Sequence, residues 1–494
     1  MGRAFLKGGS GNGESGIGSH LVVNRSHEGD TSSYISPLTL EYYQNIYADE
    51  NFNNISLVTG EEEVPTIISI ETDNETLKLE FEGKLSPETT YILNIPLNAV
   101  KDKLGNTLNG VYQYSFTTEY YEREFLYFIE SGTSSGDING CLSVAPSNSK
   151  IHFSEGTFNI TSSLNITKSN ITLQGIPNKT ILLNNKTSED IGIINITGTP
   201  ESPINNITID SFVFDGNISN DKTGHGIKIS NAGTSFVNKT ENYISSYASE
   251  SYENFDGVSI IDCVIENNSE CGVYITESVN CHITNNLIQL NSESGILMDS
   301  NSDNNIVDNN IIQNNNYHGI RAYSSTNNIL DANIIKNNSL SGINLESSDN
   351  NIIAKNTLQN NGLYGAHLYL SNGNGLTGNT SQNNNDRGIY LESSNYNTVC
   401  ANTIQNNNSY GLCISGSAYN NADGNVVESN ANNGIIIMSS NRNMLLSNIS
   451  KINTTYDIVV YDIDSSNNFL AFNESTIIIS DSGTDTTLQY NTNE

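Results

Sequence analysis

Histidine, arginine, tyrosine and glutamate collect at three positions of a repeated phrase. Each phrase is marked by a glycine: Gly226, then Gly272, Gly295, Gly319, Gly342, Gly365, Gly388, Gly411 and Gly434. Two residues after these glycines stand Lys228, Tyr274, Leu297, Arg321, Asn344, His367, Tyr390, Cys413 and Ile436. Four residues after them stand Ser230, Thr276, Asp299, Tyr323, Glu346, Tyr369, Glu392, Ser415 and Met438. Immediately before them come His225, Cys271, Ser294, His318, Ser341, Tyr364, Arg387 and Tyr410. Tyrosine rings bind sugar faces, and arginine or histidine neutralises a carboxylate or sulfate. Such groups on one surface fit a groove for an anionic polysaccharide. The alternative is a plain β surface on which outward tyrosines pair with one another.

Two chemistries suit these residues. A lyase removes the proton beside a uronate carboxylate, neutralises that carboxylate, and protonates the leaving oxygen. His367 with Tyr390 or Tyr369, flanked by Arg321 and Arg387, has the side chains for this. A hydrolase places two carboxyls about the bond. Glu346 and Glu392, two repeats apart, would have Cα atoms about 10 Å apart. The other members of the strip, His225, Lys228, His318, Tyr323, Tyr364, Tyr369, Arg387 and Tyr410, would bind substrate. Each glutamate taken singly also reads as an ordinary strand-end carboxylate. Asp299 and Asp303 form the only pair suggestive of a metal, and calcium is the ion such oxygens would take. No Cys/His group has zinc spacing.

The elements that must position these residues follow from the period. The glycines from Gly272 onward are 23 residues apart, with one step of 24 between Gly295 and Gly319. Each is followed by apolar, variable, apolar residues, as in Gly342-Ile343-Asn344-Leu345. Short runs such as Asn333-Ile334-Ile335 come later in each repeat. Strands of three to five residues separated by Asn, Ser and Gly turns predict three strands per repeat, one coil of a parallel β-helix. Positions one and three after the glycine then face the core, and positions two and four face outward. Coils stack about 4.8 Å apart, so equivalent asparagines align and bond along the stack. The expected ladders are Asn286, Asn309, Asn333, Asn356, Asn379, Asn402, Asn425 and Asn448, and Asn304, Asn328, Asn351, Asn374, Asn397, Asn420 and Asn443.

Composition narrows the partners. Net charge is −33, with 21 Lys+Arg against 54 Asp+Glu. That argues against nucleic acid and anionic membrane, and no apolar run is long enough to span a bilayer. A soluble, monomeric protein working outside the cell is expected. Six cysteines are too few for a disulfide scaffold in a chain of 494 residues. Cys263, Cys271 and Cys281, or Cys400 and Cys413, could pair in an oxidising compartment, or they could fill core slots as free thiols. Asn-X-Ser/Thr triplets such as Asn159-Ile160-Thr161 read either as glycosylation sites or, preferably, as plain β-helix sequence. The Gly/Ser-rich opening lacks the apolar core of a signal peptide and reads as the start of a secreted protein's mature fragment.

In chain order, residues 1–30 read as a flexible segment and 31–119 as a small β-sandwich. Three pieces of this sandwich are Leu85-Ser86-Pro87-Glu88-Thr89-Thr90-Tyr91, Val100-Lys101-Asp102-Lys103-Leu104-Gly105-Asn106 and Tyr114-Ser115-Phe116-Thr117-Thr118. They resemble the Ig-like domain of bacterial and archaeal surface proteins, which implies a spacer without catalytic residues. Residues 120–494 carry the repeats. Residues 131–140 read as turn-rich, 231–256 as a loop inserted in one coil (with Tyr243, Tyr247, Tyr252 and Phe255), and 457–494 as a cap that has lost the period. Lys150-Ile151-His152-Phe153, Ser169-Asn170-Ile171-Thr172-Leu173-Gln174-Gly175 and Phe212-Val213-Phe214-Asp215-Gly216-Asn217 resemble the first coils of the pectin-lyase-like right-handed β-helix superfamily. The repeats resemble the superfamily's short repeats, abundant in methanogen surface proteins. The resemblance implies a right-handed helix. It leaves function open among lyases, hydrolases, epimerases and non-catalytic adhesins, and implies that enzymes of this kind work on the face just described.

Overall fold

In a computed structural model, the described residues are 45–494 apart from 61, 72–75, 82–88, 107–111, 118–124, 187–191, 221–223, 234–255, 476–479, 490 and 494. Before residue 45 they comprise the strands Asn24–Arg25 and Leu38–Glu41. The chain divides into two compact units, Met1–Arg123 and Glu124–Glu494.

Among the described residues the first unit has two four-stranded antiparallel sheets and a two-stranded one, Tyr47–Ala48 with Val100–Lys101. Alternation drives its strands: Tyr91, Leu93 and Ile95 of Thr90–Ile95 point inward, as do Leu77 and Leu79 of Thr76–Phe81. With Leu57 from Ser56–Thr59 they share one apolar core. Asn24–Arg25 pairs with Leu38–Glu41, so part of the expected flexible opening is a strand.

The second unit is a parallel β-helix of three sheets, with 15, 14 and 13 strands among the described residues. Each coil gives one strand to each sheet. In the coil of Gly342 these are Ile343–Glu346, Ile352–Ala354 and Thr357–Gln359, which pair in parallel with Ala366–Tyr369, Gly375–Thr377 and Thr380–Gln382. The strand after the glycine belongs to the 13-stranded sheet, which carries the strip. One continuous apolar core runs from Ile129 to Leu470.

The glycines are there for space. A Cβ on Gly388 would lie 2.3 Å from the Ile404 methyl and 2.7 Å from the Gly411 carbonyl oxygen of the next coil. No side chain fits where one turn presses so closely on the next.

The asparagine ladders exist and are buried. Asn356 Nδ2 donates to Asn379 Oδ1 at 3.1 Å and to the Leu330 carbonyl at 2.8 Å, while its backbone N–H donates to the same Oδ1 at 2.9 Å. Its own Oδ1 accepts the matching pair from Asn333. Every polar atom of the amide is thus satisfied away from water, the condition for burying it without cost. Two expected members are wrong by one residue: the ladders take Asn305 and Asn310, not Asn304 and Asn309. The extra residue of the 24-residue coil lies in the turn after Ile296–Asp299, where Ser300 and Asn301 both have positive φ. It shifts everything after it, and leaves Asn304 and Asn309 in left-handed turn positions at φ 57° and 54°. A third ladder, from Asn268 through Asn291 and Asn315 to Asn453, was not anticipated.

Residues 131–140 are not only turns. Ser135–Val144 is an α-helix capped by Ser134, with Ile138 and Leu142 buried. Its Asn139 bonds the Ser163 carbonyl and the Asn165 N–H, covering an edge of Leu164–Ile166 that would otherwise invite pairing. At the other end the period stretches but the coils continue: Ile458–Val460, Phe469–Ala471 and Glu474–Ser475 still pair in register. The expected inserted loop, with its four aromatic residues, falls almost wholly outside the described residues, between Ile227–Ser230 and Val258–Ile261. Residues 477–479 do as well.

All six cysteines are free thiols. Burial pushes Cys263, Cys271, Cys281 and Cys413 up to about 12, which makes them inert core fillers and removes the disulfide alternative.

Candidate functional site

The strip lies on the 13-stranded sheet, and its strand register sets which side chains meet. Asn344, His367 and Tyr390 are successive partners, as are Glu346, Tyr369 and Glu392. Contacts between charged groups run diagonally, from position two of one coil to position four of the next. Tyr274 bonds Asp299 at 3.1 Å, Arg321 bonds Glu346 at 3.0 Å, and His367 bonds Glu392 at 3.0 Å. Each pair is 25 residues apart, one 23-residue coil plus two.

The densest group is centred on His367. Its Nε2 meets Glu392 Oε2, and its Nδ1 meets Asn344 Oδ1 at 3.0 Å. Its ring stacks on Tyr390 with centroids 4.9 Å apart and planes 6° apart. Tyr364 adds a tilted contact at 4.9 Å. Arg387 lies 4.1 Å over the other ring of this pile, Tyr390, and also approaches Tyr364 and Tyr410. It donates to the Tyr364 hydroxyl at 3.2 Å. Among the described residues Arg387 has no carboxylate partner, and its Nε is buried without an acceptor. Burial lowers the affinity of His367 for a proton, and the bond to Glu392 opposes this.

A second group surrounds Arg321, whose guanidinium bonds Glu346 and sits between the rings of Tyr317 and Tyr323. A third joins His225, Glu270, Lys228 and Tyr274. His225 Nε2 is 2.7 Å from Glu270 Oε2, and Lys228 lies over the Tyr274 ring. Buried Lys186 belongs to its surroundings. Burial pulls it down to about 8, with Glu270 acting in the opposite sense, and it donates to the Gly192 carbonyl at 2.8 Å.

Several expectations need correction. Outward position two is not uniformly open: Tyr390, Cys413, Ile436 and Val459 form a small buried cluster on the outer face, under Tyr364, Tyr410 and Met438. Tyr390 is therefore packing material between His367 and Arg387. Burial pushes its phenol above the ordinary range, so it stays protonated and shielded. His225 and His318 do not present charge to solvent. Each is buried, and each accepts a backbone N–H at Nδ1, from Cys271 and from Ser341. Burial first, then Arg321 and His367, drive His318 down to about 3, so it is neutral and cannot meet a carboxylate. Arg321 is matched by Glu346 rather than free. Asp299 and Asp303 do not act as a pair. Asp299 takes the Tyr274 hydroxyl, and Asp303 bonds Thr326. Among the described residues no group of three His, Cys, Asp or Glu is placed to hold a metal. Glu392, Glu346, Tyr369 and Tyr323 are the members most open to solvent. Tyr317 and Glu270 went unnoticed in the sequence, and Asn344 stood in its row without a role. Unrolling it at 23 and testing offsets of two would have exposed the diagonal pairs.

Residues 251–404, 304–450 and 347–493 match the family described as right handed beta helix region. Residues 26–118 match the bacterial Ig-like domain. The chain is a right-handed parallel β-helix with an N-terminal Ig-like domain. Its β-helix is similar to the A-module of Azotobacter vinelandii mannuronan C-5 epimerase AlgE6, with TM-score 0.58 and 15% identity, covering 70% of this chain and 96% of that one. A Yersinia enterocolitica family 28 exopolygalacturonase matches at TM-score 0.38 and 13% identity, covering 93% of this chain and 97% of that one. The Dettilon tailspike protein matches at TM-score 0.48 and 13% identity, covering 72% and 68%. At these identities the likeness is one of fold. No curated protein matches the sequence. Among the described residues no helix is long and apolar enough to cross a membrane.

Proposed function

We propose that the strip of this right-handed β-helix binds an acidic polysaccharide and cleaves it. The observation that carries the reading is the group in which Arg387, free of any carboxylate partner among the described residues, stands one aromatic ring away from the His367–Glu392 pair. A uronate carboxylate docks on the guanidinium of Arg387 through its terminal nitrogens, one of which already donates to the Tyr364 hydroxyl. Glu392, the open end of the pair, exchanges the proton with substrate. His367 lies behind it with both ring nitrogens engaged, so it orients Glu392, its own ring fixed by Asn344 Oδ1, rather than touching the sugar. Glu346, two coils from Glu392 and held by Arg321, is the second carboxyl that hydrolysis requires, and Tyr369 between them is an open sugar-facing ring.

The similar structures include proteins whose names state action on mannuronan and a polygalacturonase family, which supports an acidic polymer as partner. An Ig-like spacer and a strongly acidic chain support work outside the cell. In its narrowest form the reading is a methanogen disaggregatase acting on a chondroitin-like matrix. One observation favours a non-catalytic adhesin instead: neither ring nitrogen of His367 is open to a substrate. Incubation with polygalacturonate, alginate and chondroitin, following chain length and near-UV absorbance, separates the cases. Shortening with new absorbance marks a lyase, shortening without it a hydrolase, and no shortening of any polymer the adhesin.

A further inference from the structure

A second set of aromatic residues stands outside the strip, in the turn that follows it. In the coils from Gly272 onward the last residue of this turn takes the left-handed conformation. Asparagine fills it at Asn280, Asn304, Asn327, Asn350 and Asn467, and glycine at Gly373. These residue types reach that conformation at little cost. Three consecutive coils depart from the rule, with Tyr396, Tyr419 and Arg442 at φ 59°, 60° and 56°. Bulky residues at such angles are outliers, and outliers concentrate where they serve a purpose. Here they form a single object. Tyr396 and Tyr419 stack with centroids 4.9 Å apart and planes 5° apart, and Arg442 closes the far end over Tyr419, bonded to its hydroxyl. Yet the rings are not buried: Tyr396 is 63% exposed and Tyr419 44%. Packing does not account for them.

The open end of the stack has a defined shape. The next coil there carries Gly373, so no side chain covers the outer face of Tyr396. A Cβ on Gly373 would lie 2.6 Å from Asn350 Oδ1, so the Asn350 amide leans into the gap. The result is a slot about one coil high, with an aromatic face on one side and an exposed amide on the other. A pyranose ring matches both walls: its C–H face stacks on the ring and its hydroxyls meet the amide.

We infer that Tyr396, Gly373 and Asn350 form a sugar-binding site separate from the strip, which holds one pyranose unit of a longer glycan. The choice of an acidic glycan as probe rests on the function proposed above, whereas the site itself does not. Tyr396→Asn restores the residue type of the other coils and relieves the left-handed tyrosine, so the variant folds and melts no lower than the native protein. Gly373→Asn keeps the platform and fills the slot. Binding of chondroitin and polygalacturonate is measured by affinity electrophoresis, beside the strip variant Arg387→Ala. The site predicts at least a tenfold loss of retardation in both turn variants, with cleavage of short oligosaccharides unchanged. Loss in Arg387→Ala alone, with both turn variants at native affinity, overturns the site while leaving the strip's function intact. Native protein retarded by neither polymer nor by neutral dextran also overturns it, whereas retardation by dextran alone, lost in both turn variants, upholds the site and overturns the acidic glycan.

Discussion

The inner asparagine ladders and the outer strip are laid out on the same 23-residue step, yet one is monotonous and the other varies from coil to coil. The ladders repeat because each buried amide needs an identical amide in the next coil: Asn379 accepts from Asn356 and donates to Asn402. A single different residue would strand a donor and an acceptor at once. The strip has no such requirement. Its members face outward and pair diagonally, so Arg321–Glu346 and His367–Glu392 can differ chemically without disturbing the stack. Uniformity marks what holds the coils in register, and variation marks surface that is free to acquire chemistry.

Substitutions in each region should break different properties. The largest effect belongs to the ladder. Asn379→Ala takes the shared acceptor from the Asn356 backbone N–H and side-chain amide, removes the amide donor from the Ile353 carbonyl and leaves Asn402 Oδ1 only a backbone N–H, and should lower unfolding stability by about 4 kcal/mol in urea titration. Gly388→Ala, forced against Ile404 and the Gly411 carbonyl, should cost about 2 kcal/mol by the same measurement. In the strip the order reverses. Glu392→Gln should reduce kcat/KM on an acidic polysaccharide by about 100-fold or more, with the melting temperature held within a few degrees. Arg387→Ala should act mainly by raising KM, roughly tenfold, because it removes a carboxylate contact present before reaction.

A smaller effect separates the regions by pH. His318 has a folded-state value of about 3, below its unfolded value, so the unfolded chain binds more protons between the two. Its contribution is fully present above about 6.5 and is lost as pH falls toward 3. Replacing it with glutamine should flatten the acid side of the stability profile in urea titrations from pH 7 to pH 4. An unchanged slope would show that His318 is not buried neutral.

How much of this was legible in the sequence depended on what each feature required. The three-strand coil, the glycine column and the asparagine ladders follow from period and alternation, which are local. The slip at Asn304 and Asn309 came from one inserted residue whose place within its coil the glycines alone do not reveal. The strip's rows were also legible, because Gly365-Ala366-His367 and its counterparts fix which way each residue points. Which members stay open was not. Tyr390 is covered because Tyr364 and Tyr410 fold over it, and His318 is neutral because the coil buries it beside Arg321. Tyr364 and Tyr410 stand 26 and 20 residues from Tyr390 in sequence, and burial of His318 needs the stacked coil around it. Tyr396 and Tyr419 escaped notice because they stand in a turn column rather than on a strand.

Glu392, with His367 behind it and Arg387 beside it, is the proposed centre of chemistry on the varied face. Its most direct test compares depolymerisation of polygalacturonate, alginate and chondroitin by the native protein and by Glu392→Gln, with chain length as the readout. Shortening of at least one polymer by the native protein is expected, at a rate roughly 100-fold or more above that of the variant, with both proteins equally folded. Shortening at the native rate by Glu392→Gln, or none by the native protein on any of the three, would contradict it.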